Sequence, residues 1–222
     1  MKQQAGFTLV EIAIVMVIIG LLLGGVLKGQ EIITNAKIKN LENDFHGITA
    51  AIYSYQDRYR ALPGDDKRAG DRFGTVPAIA SGTQGNSTQS NSTQGNGKIE
   101  GDFDEPTTIT ESKAFWAHLR LAGLVKGGTT ETNGWIDQPL NAFSGITGVS
   151  SDTTKIRDDS EAKKMRTYIG FSNIPVEVAI IIDSRSDDGL PNSGNVQTDV
   201  AASAYTLQDI QNNSDINIYF AL

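Results

Sequence analysis

Residues 7–27, FTLVEIAIVMVIIGLLLGGVL, form an apolar run in which a single position, Glu11, carries a charge. A helix of roughly 20 apolar residues, rising ~1.5 Å per residue, spans a bilayer. The run therefore predicts a membrane-crossing helix. An ionised side chain within hydrocarbon costs upward of ~2.5 kcal/mol, so a segment used only as an anchor would carry an apolar residue at position 11. The run closes on GGVLKGQE, without the small-residue cleavage site of a secretory signal. The polar leader MKQQAG holds Lys2, which the positive-inside tendency keeps in the cytoplasm while the rest of the chain is exported.

The stretch GFTLVEIAIVMVIIGLLLGGV resembles the class III signal of type IV prepilins and of the related pseudopilins of type II secretion, through Gly6, Phe7, Thr8, Leu9, Glu11 and the apolar run that follows. The resemblance covers about the first thirty residues and implies four things. A prepilin peptidase cuts after Gly6, the new amino group of Phe7 is N-methylated, the apolar helix enters the core of a filament, and the head faces the periplasm of a bacterium. Loss of the leader removes Lys2 and takes the formal charge from −7 to −8.

Cleavage would supply Glu11 with a partner. The freed ammonium of Phe7 on an incoming subunit can pair with Glu11 of its neighbour, because two charges in a low-dielectric interior are tolerated only as a pair. Gly20, Gly24, Gly25 and Gly29 punctuate the second half of the run. Each costs about 1 kcal/mol against Ala in a helix interior. In return they permit close helix–helix approach in a membrane or local stretching as subunits pack.

The helix is expected to continue to about Arg60. Leu41, Phe45, Ile48, Ile52, Tyr55, Tyr59 and Leu62 recur at spacings of three and four, an apolar stripe on one face. Pro63 and Gly64 then supply the stop. Residues 74–97, with NSTQ twice, read as a polar loop. Asn86, Asn91 and Asn212 begin N-x-[ST] patterns, weak evidence for modification in a bacterium. TITESKAFWAHLRLAGLV predicts a second helix, with Thr108 and Glu111 as a capping box and Gly123 as its end. The LPGD turn and FWAHLRLAGL also resemble, more loosely, a group of large prepilin-like proteins of uncertain role. Thr167–Phe171, Val176–Ile182 and Ile216–Ala221 carry strand-type residues between turn clusters. The expected fold is α+β and pilin-like: a leader at 1–6, a transmembrane and filament-core helix at 7–29, and a soluble head at 30–222. In that head the rest of the long helix packs on a small antiparallel sheet with long loops.

Composition narrows the chemistry. The absence of cysteine removes disulfides, thiolate metal sites and Cys nucleophiles. A net charge of −7 with no long basic block argues against general nucleic-acid binding. GNGKIE fails as a phosphate loop, since Ser92 and Ile99 stand where Gly and Ser or Thr are required. His46 and His118 lie in separate predicted helices, the first read as surface and the second as packing. No catalytic motif is present, and the chain reads as no enzyme. Oxygen donors cluster in Glu100–Glu105 and in Asp183–Gly189, and Asp183, Asp187 and Asp188 are the candidate Ca²⁺ ligands. No cofactor is required.

The leading functional reading is a structural subunit, pilin or minor pilin, of a type IV pilus-like filament. Its partners would be copies of itself, sibling pilins, the prepilin peptidase, an inner-membrane assembly platform and, before assembly, membrane lipid. A type II secretion pseudopilin and a monomeric membrane-anchored binding module are the alternatives.

Overall fold

The computed structural model describes residues 8–77, 95–104, 108–152, 167–200, 204–206 and 215–222. The chain divides into two units, Met1–Lys39 and Asn40–Leu222. One helix, α1 (Leu9–Tyr59), runs through both and is 51 residues long. In the first unit every side chain from Thr8 to Lys28 is exposed, as a bare membrane segment would be.

The second unit is the head. Its part of α1 buries Leu41, Ile48, Ala51, Ile52 and Tyr55, the stripe that three- and four-residue spacing places on one face. Phe45 and Tyr59 are half-buried. Phe45 stacks at 5.0 Å between ring centres on Phe220 of the sheet. His46 is exposed. After α1 come α2 (Ala69–Phe73) and α3 (Glu111–Leu121), then β1 (Thr147–Ser150), β2 (Tyr168–Pro175), α4 (Val176–Ser186), β3 (Val196–Thr198) and β4 (Asp215–Ala221). The four strands form one antiparallel sheet in the order β1-β2-β4-β3. The architecture is α+β with a long N-terminal helix.

Three strands were expected, and one of them is a helix. Val176–Ile182 belongs to α4, which contacts β2, β3 and β4. Its buried residues Val176, Val178, Ala179, Ile182 and Asp183 recur at helical spacing. A short run of β-branched residues does not distinguish a buried strand from a buried helix by pattern, and here tertiary packing overrides propensity. Strands β1 and β3 are only four and three residues long, too short to leave a sequence signal.

Helix α3 ends where Gly123 predicted. Gly123 takes φ +72°, and the Leu124 amide bonds Leu119 O at 2.9 Å while Gly123 N bonds Arg120 O at 3.0 Å, the paired bonds of a Schellman stop. Its start differs from expectation. The N-cap is Thr110, not Thr108, and Glu111 is the first helical residue. The Glu111 carboxylate turns instead to accept the Glu100 amide at 2.9 Å.

One core cluster joins Phe103, Tyr168 and Tyr219, all fully buried. The two tyrosine rings meet edge-on at 5.2 Å, and Phe103 meets Tyr219 at 5.6 Å. This packing needs glycine in β2, because a Cβ on Gly170 would come within 2.5 Å of the Phe103 ring.

Candidate functional site

At the start of α1, Thr8 and Glu11 form a reciprocal cap. Glu11 Oε2 accepts the Thr8 amide and the Thr8 hydroxyl, each at 2.8 Å, and the Glu11 amide reaches Thr8 Oγ1 at 3.3 Å. This is a capping box, with the Thr at the N-cap and the Glu three residues on, each serving the other's amide. The spacing T-x-x-E was present in the sequence as TLVE, and it assigns Thr8 a role beside Glu11. Gly6 and Phe7, the expected cleavage and methylation positions, lie outside the described residues. The helix beyond the cap is long and apolar enough to cross a membrane, with mean hydropathy 2.7 over its best window and none of that window buried.

A second constellation sits where α4 gives way to the following loop. Carboxylate oxygens of Asp183, Asp187 and Asp188 lie within 4.8 Å of one another. Asp183, fully buried at the end of α4, accepts the Tyr205 hydroxyl at 3.0 Å and the Gly189 amide at 3.2 Å. Asp187 accepts the amides of Asn195 and Val196, and Asp188 accepts the Leu190 amide at 2.9 Å and the Ser193 hydroxyl at 2.7 Å. A Cβ on Gly194 would lie 1.9 Å from Asp187 Oδ2, so the loop closes on the acid only through a glycine. Burial, followed by the charges of Asp188 and Asp187, pushes the Asp183 carboxyl up to about 6 against the pull of Tyr205 and Gly189.

Ca²⁺ takes oxygen ligands at about 2.3–2.6 Å, so two ligands of one ion lie at most ~5 Å apart. The spacing and the all-oxygen donor set fit that cation. The other expected cluster does not gather. Among the described residues Glu100, Asp102 and Asp104 form no such group, Glu100 is engaged by Asn96 Nδ2 at 3.0 Å, and Glu105 lies outside them. The N-x-[ST] positions Asn86, Asn91 and Asn212 also lie outside them.

A buried polar layer joins α1, α3 and the loop at 95–101. Asp66 accepts the Tyr55 hydroxyl at 2.8 Å and pairs with Arg72. Asp65 accepts the amides of Gly95, Asn96 and Gly97. His118, almost completely buried, accepts the Gly64 amide at Nδ1, 2.9 Å away, and burial holds its imidazole down to about 4. It is a neutral packing residue, as the sequence reading had it. Burial raises the Glu111 carboxyl to about 7, opposed by the Glu100 amide and helped by the nearby charges of Asp65 and Glu100.

Residues 1–27 match the family model described as the prokaryotic N-terminal methylation motif. The segment is consistent with a type IV prepilin-like class III signal peptide, and the motif indicates a pilin- or pseudopilin-like precursor. Such a motif and the exposed apolar α1 fit membrane anchoring and assembly with other subunits. No curated protein and no solved structure matches the chain.

Proposed function

We propose that this chain is a structural subunit, pilin or minor pilin, of a type IV pilus-like filament. The single observation that carries the reading is the methylation motif over residues 1–27, with one acid set in the otherwise apolar, exposed run at residues 8–27. In this reading prepilin peptidase removes residues 1–6 and Phe7 is methylated. Residues 7–29 cross the inner membrane and later line the filament core, and residues 30–222 are the periplasmic head. Assembly runs on two terms. Burial of apolar α1 side chains supplies most of the affinity, and Glu11 pairing with the Phe7 amine of a neighbour sets the register. The subunit acts by polymerising and catalyses nothing.

The test is the mass of the N-terminal peptide in protein sheared from cells and in the membrane fraction. A methylated peptide beginning at Phe7 in the sheared material supports a surface filament. The same peptide confined to membranes favours a type II secretion pseudopilin. An uncut MKQQAG leader in both fractions refutes processing and leaves a monomeric anchored binding module.

A further inference from the structure

Where α1 ends, the head opens a cavity of about 410 Å³ whose wall carries Arg60, Lys67, Arg68, Asp65 and Asp66. In a chain of net charge −7 this lining is locally cationic, because its two acids are already satisfied from within. Asp66 is paired with Arg72, which stands outside the cavity lining. Asp65 is held by the three amides of Gly95–Gly97, with Gly95 and Gly97 at φ +84° and +80°. Successive amides in such a turn make a concavity selective for anions, and here the anion is a side chain.

The three cations on the rim have no equivalent partner. Arg60 stands 3.9 Å from Asp57, and both side chains are more than four-fifths exposed, a contact of little worth in water. Arg68 and Lys67 are exposed and make no side-chain hydrogen bond or ion pair among the described residues. Counted over the lining, three cations against Asp65 and Asp66 leave an excess of one positive charge beside a cavity of ligand size. Two guanidinium forks and an ammonium supply more donors than one carboxylate can use, and planar forks match phosphate oxygens bidentately.

We infer that this cavity is a binding site for a phosphate dianion, inorganic phosphate or a phosphomonoester, held by Arg60, Lys67 and Arg68. The inference concerns the head alone and stands whether the subunit builds a pilus or a pseudopilus.

The test is titration of the detergent-solubilised full chain with inorganic phosphate and with glycerol phosphate, followed by calorimetry and by amide chemical shifts. Saturable binding is expected for both dianions, with shifts at Gly95–Gly97. Dimethyl phosphate and acetate, each a monoanion, are expected to bind at least tenfold more weakly. The R60Q/R68Q double variant loses tenfold or more in affinity, whereas K126Q, which removes an exposed charge elsewhere, leaves it unchanged. Unchanged far-UV circular dichroism in the double variant separates loss of the site from loss of the fold. Equal binding of monoanions, an equal loss in K126Q, or no saturable binding of either dianion overturns the inference.

Discussion

Thr8 and Glu11 hold one another at the first turn of α1, with the carboxylate accepting both the amide and the hydroxyl of Thr8 at 2.8 Å. The acid is therefore occupied within its own chain before any neighbour arrives. In the proposed assembly an incoming Phe7 ammonium would join or displace Thr8 rather than meet a bare charge. Thr8 thereby tempers the cost of carrying Glu11 alone in the membrane, because a hydrogen-bonded charge is less penalised than an orphaned one.

This separates two roles of Glu11 by substitution. Glu11→Gln retains an acceptor for Thr8 but removes the charge, whereas Glu11→Ala removes both. If charge pairing sets register, the two variants lose filament assembly equally while remaining at wild-type levels in the membrane. Assembly that survives in the Gln variant would assign the role to the cap alone. Thr8→Ala weakens the first turn by about 1 kcal/mol, read as faster amide exchange at residues 9–12.

Glu111 and His118 drive stability with pH in opposite directions. The Glu111 carboxyl is raised from 4.5 to about 7, so the unfolded chain releases this proton first and stability falls as pH rises from about 4.5 to 7. The His118 imidazole is lowered from 6.5 to about 4, so stability falls as pH drops through that interval. Each shift corresponds to about 3 kcal/mol, and the two largely offset each other between pH 4.5 and 6.5. Glu111→Gln removes one arm. Its stability relative to wild type should grow by up to about 3 kcal/mol from pH 4.5 to 7, measured as urea midpoints on the full chain in detergent.

Three carboxylates within 4.8 Å repel one another unless a proton or a cation intervenes. The Ca²⁺ expectation predicts that at pH 7.5 added Ca²⁺ raises the Tm by several degrees and that a chelator reverses this. Asp187→Asn with Asp188→Asn should abolish the response. A Tm indifferent to Ca²⁺ leaves the proton as the relief. Raised to about 6, the Asp183 carboxyl then makes the wild type lose stability as pH rises from about 4 to 6.

Two glycines should answer an added methyl with opposite signs. A Cβ on Gly170 meets the Phe103 ring at 2.5 Å, whereas one on Gly47, an exposed helix position, meets nothing within 4 Å. Gly170→Ala is expected to destabilise the head by about 1–3 kcal/mol through overpacking. Gly47→Ala is expected to stabilise it by up to about 1 kcal/mol through helix propensity. Urea unfolding of both variants checks the pair.

The long helix was legible because its signals are long: a spanning apolar run, then a stripe repeated over five turns. Capping was legible only as a pattern. T-x-x-E occurs at Thr8 and again at Thr108, but the box closes at Thr8, while α3 takes Thr110 as its N-cap and the Glu111 carboxylate accepts the Glu100 amide. Sequence spacing does not register a competitor from another segment. The same limit hid α4, where the sheet beneath it decides the conformation of Val176–Ile182. Asp183, Asp187 and Asp188 were grouped by closeness along the chain, but Tyr205, which fixes the buried Asp183, comes from a segment that no local pattern connects to it.

The grip of Asp65 on Gly95–Gly97 has an engineering consequence. Upstream, α2 is tied down by Arg72, which reaches Tyr59 O at 3.1 Å and Asp66. Downstream, the three amides are moored to Asp65 thirty residues away in sequence. The chain is thus fastened on both sides of the NSTQ stretch. Each doubling of the length between those points adds only about 0.6 kcal/mol of closure entropy. A guest epitope or fluorophore spliced between residues 86 and 91 should leave the head folded, making this stretch a handle for following the subunit in living cells.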